Sequence, residues 1–283
     1  MTIPPADLTT LADAVDYDAQ AVRLFQHVRA SGPLIHHITN MVVTNDTANL
    51  TIGLGGSPVM AYAPEEVGEM ASLAQALVLN IGTLSIGEVE AMLIAGRAAN
   101  AAAVPIILDP VGAGATTFRT QAALRLLNDL DIAVLRGNRG EIGALVGSGA
   151  MRGVDAVGME DPEEVARAAY ERFGVTTAVT GAVDIVVGPD AIFRVANGTP
   201  LLSRITGSGC MATTAVAVAI AGAAVSTLAG YALPVALGLA TYGLAAERAA
   251  TGNPGPGTFR TRLLDEAGRF DEAGITGLRI SVD

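Results

Sequence analysis

The stretch ALVLNIGTLSIGEVEAMLIAGRAANAAAVPIILD, residues 76–109, decides the fold. Its two ends, ALVLNIG (76–82) and VPIILD (104–109), are short apolar runs without polar alternation, as expected of strands buried on both faces. Between them, GEVEAMLIAGRAANAA spaces its apolar residues as a helix does. Strand, helix and strand in that order make a βαβ unit, and such units build a parallel sheet. The pattern continues outward in both directions. LIHHIT (34–39), IAVLRGN (132–138) and TTAVTG (176–181) are further apolar runs, and TQAALRLLNDL is a further helical segment. Asp161-Pro-Glu-Glu supplies an N-cap, a first-turn proline and acidic residues, which predicts a helix from there to about Phe173. DIVVGPD and AIFRVANG predict a hairpin turning at Gly188-Pro-Asp190, with two or more helices following through residue 250. No repeat, low-complexity tract or linker interrupts the pattern. Residues 1–283 therefore read as one α/β domain, a central, mostly parallel sheet flanked by helices on both faces.

Composition removes several classes of function. Of the 283 residues, 51% are hydrophobic and 16% charged, which describes an ordered chain with a large core. All 17 basic residues are arginine. The absence of lysine excludes a Walker-A phosphate loop, a protein-kinase-type strand lysine and a lysine Schiff base. The single cysteine, Cys210, excludes an intramolecular disulfide and any multi-cysteine metal site. A chain without disulfides suits a reducing cytosol, so a cytoplasmic location is expected. A net charge of −11 argues against nucleic acid as a partner but not against a nucleotide, whose phosphates can be met locally. The N-terminus, MTIPPADLTTLADAVDYDAQ, is acidic and lacks the plan of a signal peptide.

One uncharged run of 42 residues, Ile205 to Ala246, is long enough for two membrane spans at roughly 20 residues each. Its Ala, Gly and Thr content, with Pro234 inside, favours buried helices of a core or subunit interface over a membrane hairpin.

Five of the apolar runs lead into a polar residue: Asn40, Asn80, Asp109, Asn138 and Thr180. In an open parallel sheet the ligand lies beyond the carboxyl ends of the strands, so these residues predict a pocket. Thr206-Gly-Ser-Gly-Cys210 then opens the long uncharged segment. A Gly-rich turn running into a helix start offers unpaired N–H groups and the positive end of the helix dipole, so Gly207, Ser208 and Gly209 form a candidate anion hole. Cys210 at that helix start is expected to have a lowered pKa and to be a candidate base; it reads equally as a small buried hydrophobe. Asp109 and Glu141 are carboxylates suited to Mg²⁺, which takes one or two of them together with phosphate oxygens. Arg136 could meet phosphates bidentately. Met60, with its polarizable thioether, suits a pocket wall for an aromatic or sulfur-containing ring. His36 and His37 are adjacent on a strand, point to opposite faces and cannot share a metal.

Together, Ile38-Thr-Asn40, Ser57-Pro-Val-Met60, Leu79-Asn-Ile-Gly-Thr83, Asp109-Pro-Val-Gly-Ala-Gly114, Arg136-Gly-Asn138 with Glu141, Val179-Thr-Gly181 with Asp184, and Thr206-Gly-Ser-Gly-Cys210 resemble hydroxyethylthiazole kinases, of the ribokinase-like superfamily. The match runs in order from about residue 20 to Gly255-Pro-Gly-Thr-Phe259. The resemblance implies a ribokinase-like fold without a separate lid domain. It also implies ATP- and Mg²⁺-dependent phosphorylation of the primary hydroxyl of 4-methyl-5-(2-hydroxyethyl)thiazole, in thiamine salvage. By the same resemblance Met60, Gly207 and Asn40 would contact the thiazole, while Arg136, Thr180 and Asn138 would contact ATP. Asp109 and Glu141 would serve Mg²⁺, and Cys210 stands where the superfamily places an aspartate base. A homotrimer with the thiazole site at the subunit boundary is implied as well. His37 departs from the family pattern, which is expected to carry asparagine there. A pyrimidine-alcohol kinase and a nicotinamide-nucleotide hydrate dehydratase are the alternatives within the superfamily.

Overall fold

The computed structural model describes residues 16–147, 160–223, 228–270 and 274–283. The first 15 residues, which carry most of the acidic N-terminal segment read above, lie outside the described residues. The fold is built on nine strands: β1 (Leu34–Ile38), β2 (Ser57–Val59), β3 (Ala76–Asn80), β4 (Ile106–Asp109), β5 (Val134–Asn138), β6 (Thr176–Thr180), β7 (Asp184–Val187), β8 (Ile192–Val195) and β9 (Ile280–Val282). They form one sheet in the order β2-β1-β3-β4-β5-β6-β7-β8-β9. β1 to β6 run parallel, and β7 to β9 extend the sheet antiparallel. The hairpin falls where the sequence places it, closed by Gly188 N donating to Ala191 O at 3.0 Å.

Side chains alternate across the strands and so build two cores. Ala76 and Val78 of β3 join a core with α1 (Tyr17–Ser31), α2 (Thr44–Leu54), α8 (Ser208–Gly222), α9 (Ala232–Ala249) and α10 (Pro256–Gly268). Leu77 and Leu79 face the other way, into a core with α3 (Val67–Leu73), α4 (Ile86–Ala101), α5 (Thr117–Asp129), α6 (Arg139–Gly147) and α7 (Pro162–Phe173). Central strands sandwiched in this way need apolar residues at every position, which is why their sequence does not alternate. α7 begins at the predicted cap: Asp161 accepts a hydrogen bond from Glu163 N at 3.0 Å.

The uncharged segment is α8 and α9, both almost wholly buried within the first core. No helix among the described residues is long and apolar enough to cross a membrane, so the hairpin reading of this segment is set aside. Two elements carry little sequence signal. β2 has only three residues and contains Pro58, which an edge strand tolerates. β9 pairs through register partners Phe193↔Val282 and Val195↔Ile280.

Candidate functional site

Because β1 to β6 are parallel, the five predicted polar residues share one edge of the sheet. Asn80 and Asp109 are register partners, as are Asn138 and Thr180, and Asn40 follows β1 by two residues. Met60, next after β2, is half-buried at the same edge.

Gly207 caps α8 with φ +80°, a left-handed conformation that suits glycine, and a Cβ there would come within 2.4 Å of Val43. By the geometry of a helix start, the N–H groups of Ser208, Gly209 and Cys210 have no acceptor within the helix. Tyr242 of α9 steadies this turn, donating to Ser208 O at 3.0 Å. A Cβ on Gly209 would lie 3.1 Å from the Arg136 guanidinium, so the turn rests closely on that arginine.

Five side chains from three strand ends and α8 form one hydrogen-bonded cluster. Asn40 Nδ2 donates to Asn80 Oδ1 at 2.9 Å and to Cys210 Sγ at 3.4 Å. Asn80 Nδ2 donates to Asp109 Oδ2 at 2.7 Å and to Cys210 Sγ at 3.2 Å. Asp109 Oδ2 also accepts from Thr213 Oγ1 at 2.8 Å, whereas Asp109 Oδ1 is buried with no hydrogen-bond partner. Arg136 Nη1 lies 3.7 Å from that oxygen, and its Nη2 donates to Thr180 Oγ1. Burial raises the Asp109 carboxyl to about 6, against the pull of Arg136. Asp184, half-buried and accepting from Gly181 N at 2.9 Å, is likewise raised by desolvation to about 6.

The expected lowering of the Cys210 pKa is corrected. Burial and the neighbouring Asp109 push the thiol up to about 11, and the two amide donors only moderate the rise. A helix N-terminus favours thiolate, but desolvation and a nearby negative charge outweigh it here.

Glu141 belongs to a reciprocal cap at the start of α6. Glu141 N donates to Asn138 Oδ1 and Asn138 N to Glu141 Oε2, both at 2.9 Å. The Glu141 Oε1 atom accepts from Gly112 N at 2.9 Å and so ties the turn after β4 to α6. The side-chain oxygen of Asn138 is thus already committed to the backbone. No group of three His, Cys, Asp or Glu capable of holding a metal occurs among the described residues. The pair Asp109 and Glu141, with one buried oxygen unpartnered, suits a cation that completes its shell with water and phosphate oxygens, as Mg²⁺ does.

His36 and His37 are both buried and both structural, each ring bonding on its own side of the strand. His36 Nε2 donates to Ala61 O at 2.9 Å, and His37 Nε2 pairs with Thr51 Oγ1 at 3.1 Å. Two further groups escaped the sequence reading. Thr213 lies inside the uncharged helix with nothing local to distinguish it. Arg119 of α5 donates to the carbonyls of Ile81, Gly82 and Val111, each at 2.8 Å, and clasps the turns that follow β3 and β4. A long side chain that bonds only to backbone leaves no motif.

The chain is similar to known proteins over most of its length. The model of the hydroxyethylthiazole kinase family matches residues 25–272. A hydroxyethylthiazole kinase of Methanoculleus marisnigri is 52% identical over 256 residues, covering 90% of each chain. The solved structure of a hydroxyethylthiazole kinase protein from Pyrococcus horikoshii OT3 superposes with a TM-score of 0.83 at 41% identity, covering 93% of this chain and 98% of that one. A ribokinase-like superfamily protein from Enterococcus faecalis V583 shares the fold at 11% identity, with a TM-score of 0.61 and 92% of each chain covered.

Proposed function

Because the chain belongs to the hydroxyethylthiazole kinase family, we propose that it transfers the γ-phosphoryl group of ATP to the primary hydroxyl of 4-methyl-5-(2-hydroxyethyl)thiazole, in thiamine salvage. The observation that carries this reading is the joining of Cys210, Asp109 and the α8 turn into one cluster at the carboxyl edge of the sheet. Met60, Asn40 and Gly207 line the thiazole side, while Arg136, Thr180 and Asn138 lie on the nucleotide side.

In the transfer, the alcohol oxygen forms a bond to the γ-phosphorus as the bridging bond to the β-phosphate breaks. The products are ADP, the phosphate ester and a proton. The N–H groups of Ser208, Gly209 and Cys210 receive the negative charge of the phosphoryl group in flight. Arg136 supplies the local positive charge that a chain without lysine must find elsewhere. Asp109 and Glu141 would hold Mg²⁺, which neutralises phosphate charge when bound. Cys210, a thiol at neutral pH, holds the acceptor hydroxyl rather than taking its proton. A loose phosphoryl-transfer transition state demands little of a base.

The assembly belongs to the same reading. Met41, Val42 and Ile86 are 76%, 61% and 73% exposed, and Met41 N donates to Thr83 Oγ1 beside the site. Such apolar residues around the cluster support a homotrimer with its thiazole site at the subunit boundary, in a single-domain, cytoplasmic enzyme. The test is a substrate panel of the thiazole alcohol, a pyrimidine alcohol and a hydrated nicotinamide nucleotide, each with MgATP. Turnover of the thiazole alcohol is expected. Turnover of another substrate in its place overturns the reading.

A further inference from the structure

Asn80 is 2% exposed, and every hydrogen-bonding position of its carboxamide is filled. Its oxygen accepts from Asn40 Nδ2 and from Gly82 N, both at 2.9 Å. Its two N–H groups diverge, one to Asp109 Oδ2 and one to Cys210 Sγ. A planar amide with four partners cannot rotate without breaking several bonds, so it fixes the carboxylate and the sulfur relative to each other. The bonds are also one-sided. Asn80 and Thr213 both bind Asp109 through Oδ2, and Oδ1 is left buried without a hydrogen bond, 3.7 Å from Arg136 Nη1. At the sulfur, Asn40 and Asn80 both donate, which occupies the acceptor positions and leaves the S–H.

We propose that Asn80, assisted by Thr213, is the positioning residue of this site: it anchors Asp109 by one oxygen and Cys210 by its sulfur, so that the other carboxylate oxygen, beside Arg136, stays free for a cation and the S–H for the acceptor hydroxyl. The proposal rests on the kinase reading above. Neither Asn80 nor Thr213 need touch substrate; each acts through the group it holds. Outer partners of metal-binding carboxylates commonly contribute 10–100-fold in metal affinity or activity, and misplacement of a reacting group by about 1 Å costs about 100-fold in rate.

The experiment compares the parent chain with Asn80→Ser, Thr213→Val and Thr213→Ser. Steady-state kinetics with the thiazole alcohol and MgATP are one readout. The affinity for Mn²⁺, measured by electron paramagnetic resonance with a non-hydrolysable ATP analogue bound, is the other. Asn80→Ser is expected to lower kcat about 30–100-fold, with both KM values within about threefold, and to weaken Mn²⁺ about tenfold. Thr213→Val is expected to lower kcat about tenfold, and Thr213→Ser, which keeps the hydroxyl, to stay within about twofold of the parent. Three results overturn the proposal: kcat of Asn80→Ser within twofold of the parent, a rise in KM at constant kcat, or Thr213→Ser as slow as Thr213→Val. Should Asn80→Ser fail to fold, the Thr213 pair decides alone. A parent chain that does not phosphorylate the alcohol removes the kinase reading; the Mn²⁺ affinities then decide whether Asn80 and Thr213 position Asp109.

Discussion

At the scale of single residues, burial decides protonation. His37 is fully buried, its pKa falls to about 3 through desolvation and the nearness of His36, and its ring must stay neutral to fold. A lowered histidine pKa gives stability that is present above the unfolded value, near 6.5, and is lost as the pH falls toward the folded value. At pH 5 the loss is about 2 kcal/mol. Asp109 and Asp184 act in the opposite sense: raised to about 6, they cost stability above that pH and return it as they protonate. The histidine contribution is isolated by comparing the parent with His37→Asn. The stability difference between the two proteins should shift by about 2 kcal/mol in favour of the variant between pH 7 and pH 5, read from urea unfolding. An unchanged difference contradicts the assignment. Cys210 offers a second test at this scale. As a thiol that holds the acceptor hydroxyl without taking its proton, it predicts a kcat about tenfold lower in Cys210→Ala, with much activity kept in Cys210→Asp, whose carboxylate can also hold the hydroxyl. An alanine variant as active as the parent would reduce the thiol to filler.

At the scale of elements, the start of α8 carries the argument. Gly207→Ala places a Cβ at φ +80° and within 2.4 Å of Val43, so the turn must move. The expected results are a stability loss of about 1–3 kcal/mol by urea unfolding and a kcat at least tenfold lower. A fully active alanine variant would show that the turn does not receive the phosphoryl group. The elements were largely legible in the sequence. Runs such as ALVLN and IILD must be strands because both faces meet helices, and Asp161 announced α7. β2 and β9 were not, since three-residue strands owe their form to a neighbour rather than to their own pattern.

The site was legible in its strand-end residues, which topology gathers on one edge. Its internal wiring was not. Thr213 lies 104 positions from Asp109 and Arg119 binds only carbonyls, so neither partnership leaves a local trace. The pKa of Cys210 was misjudged for a related reason: position on a helix is read from sequence, whereas burial against Asp109 is not.

At the scale of the whole molecule, a net charge of −11 coexists with a site for a polyanion. The chain manages this locally, with Arg136 beneath the α8 turn and carboxylates suited to a divalent cation. Exposed Met41, Val42 and Ile86 suit a subunit contact of the proposed trimer; Met41→Asp should then shift the mass measured by light scattering from three chains toward one and lower activity with it. A parent protein monomeric at micromolar concentration contradicts that assembly. The most direct test of the central claim is ADP release in the presence of MgATP, with and without the thiazole alcohol. Release that depends on the alcohol, with one ADP for each phosphate ester formed, is predicted. No turnover in a protein that still binds ATP would contradict it.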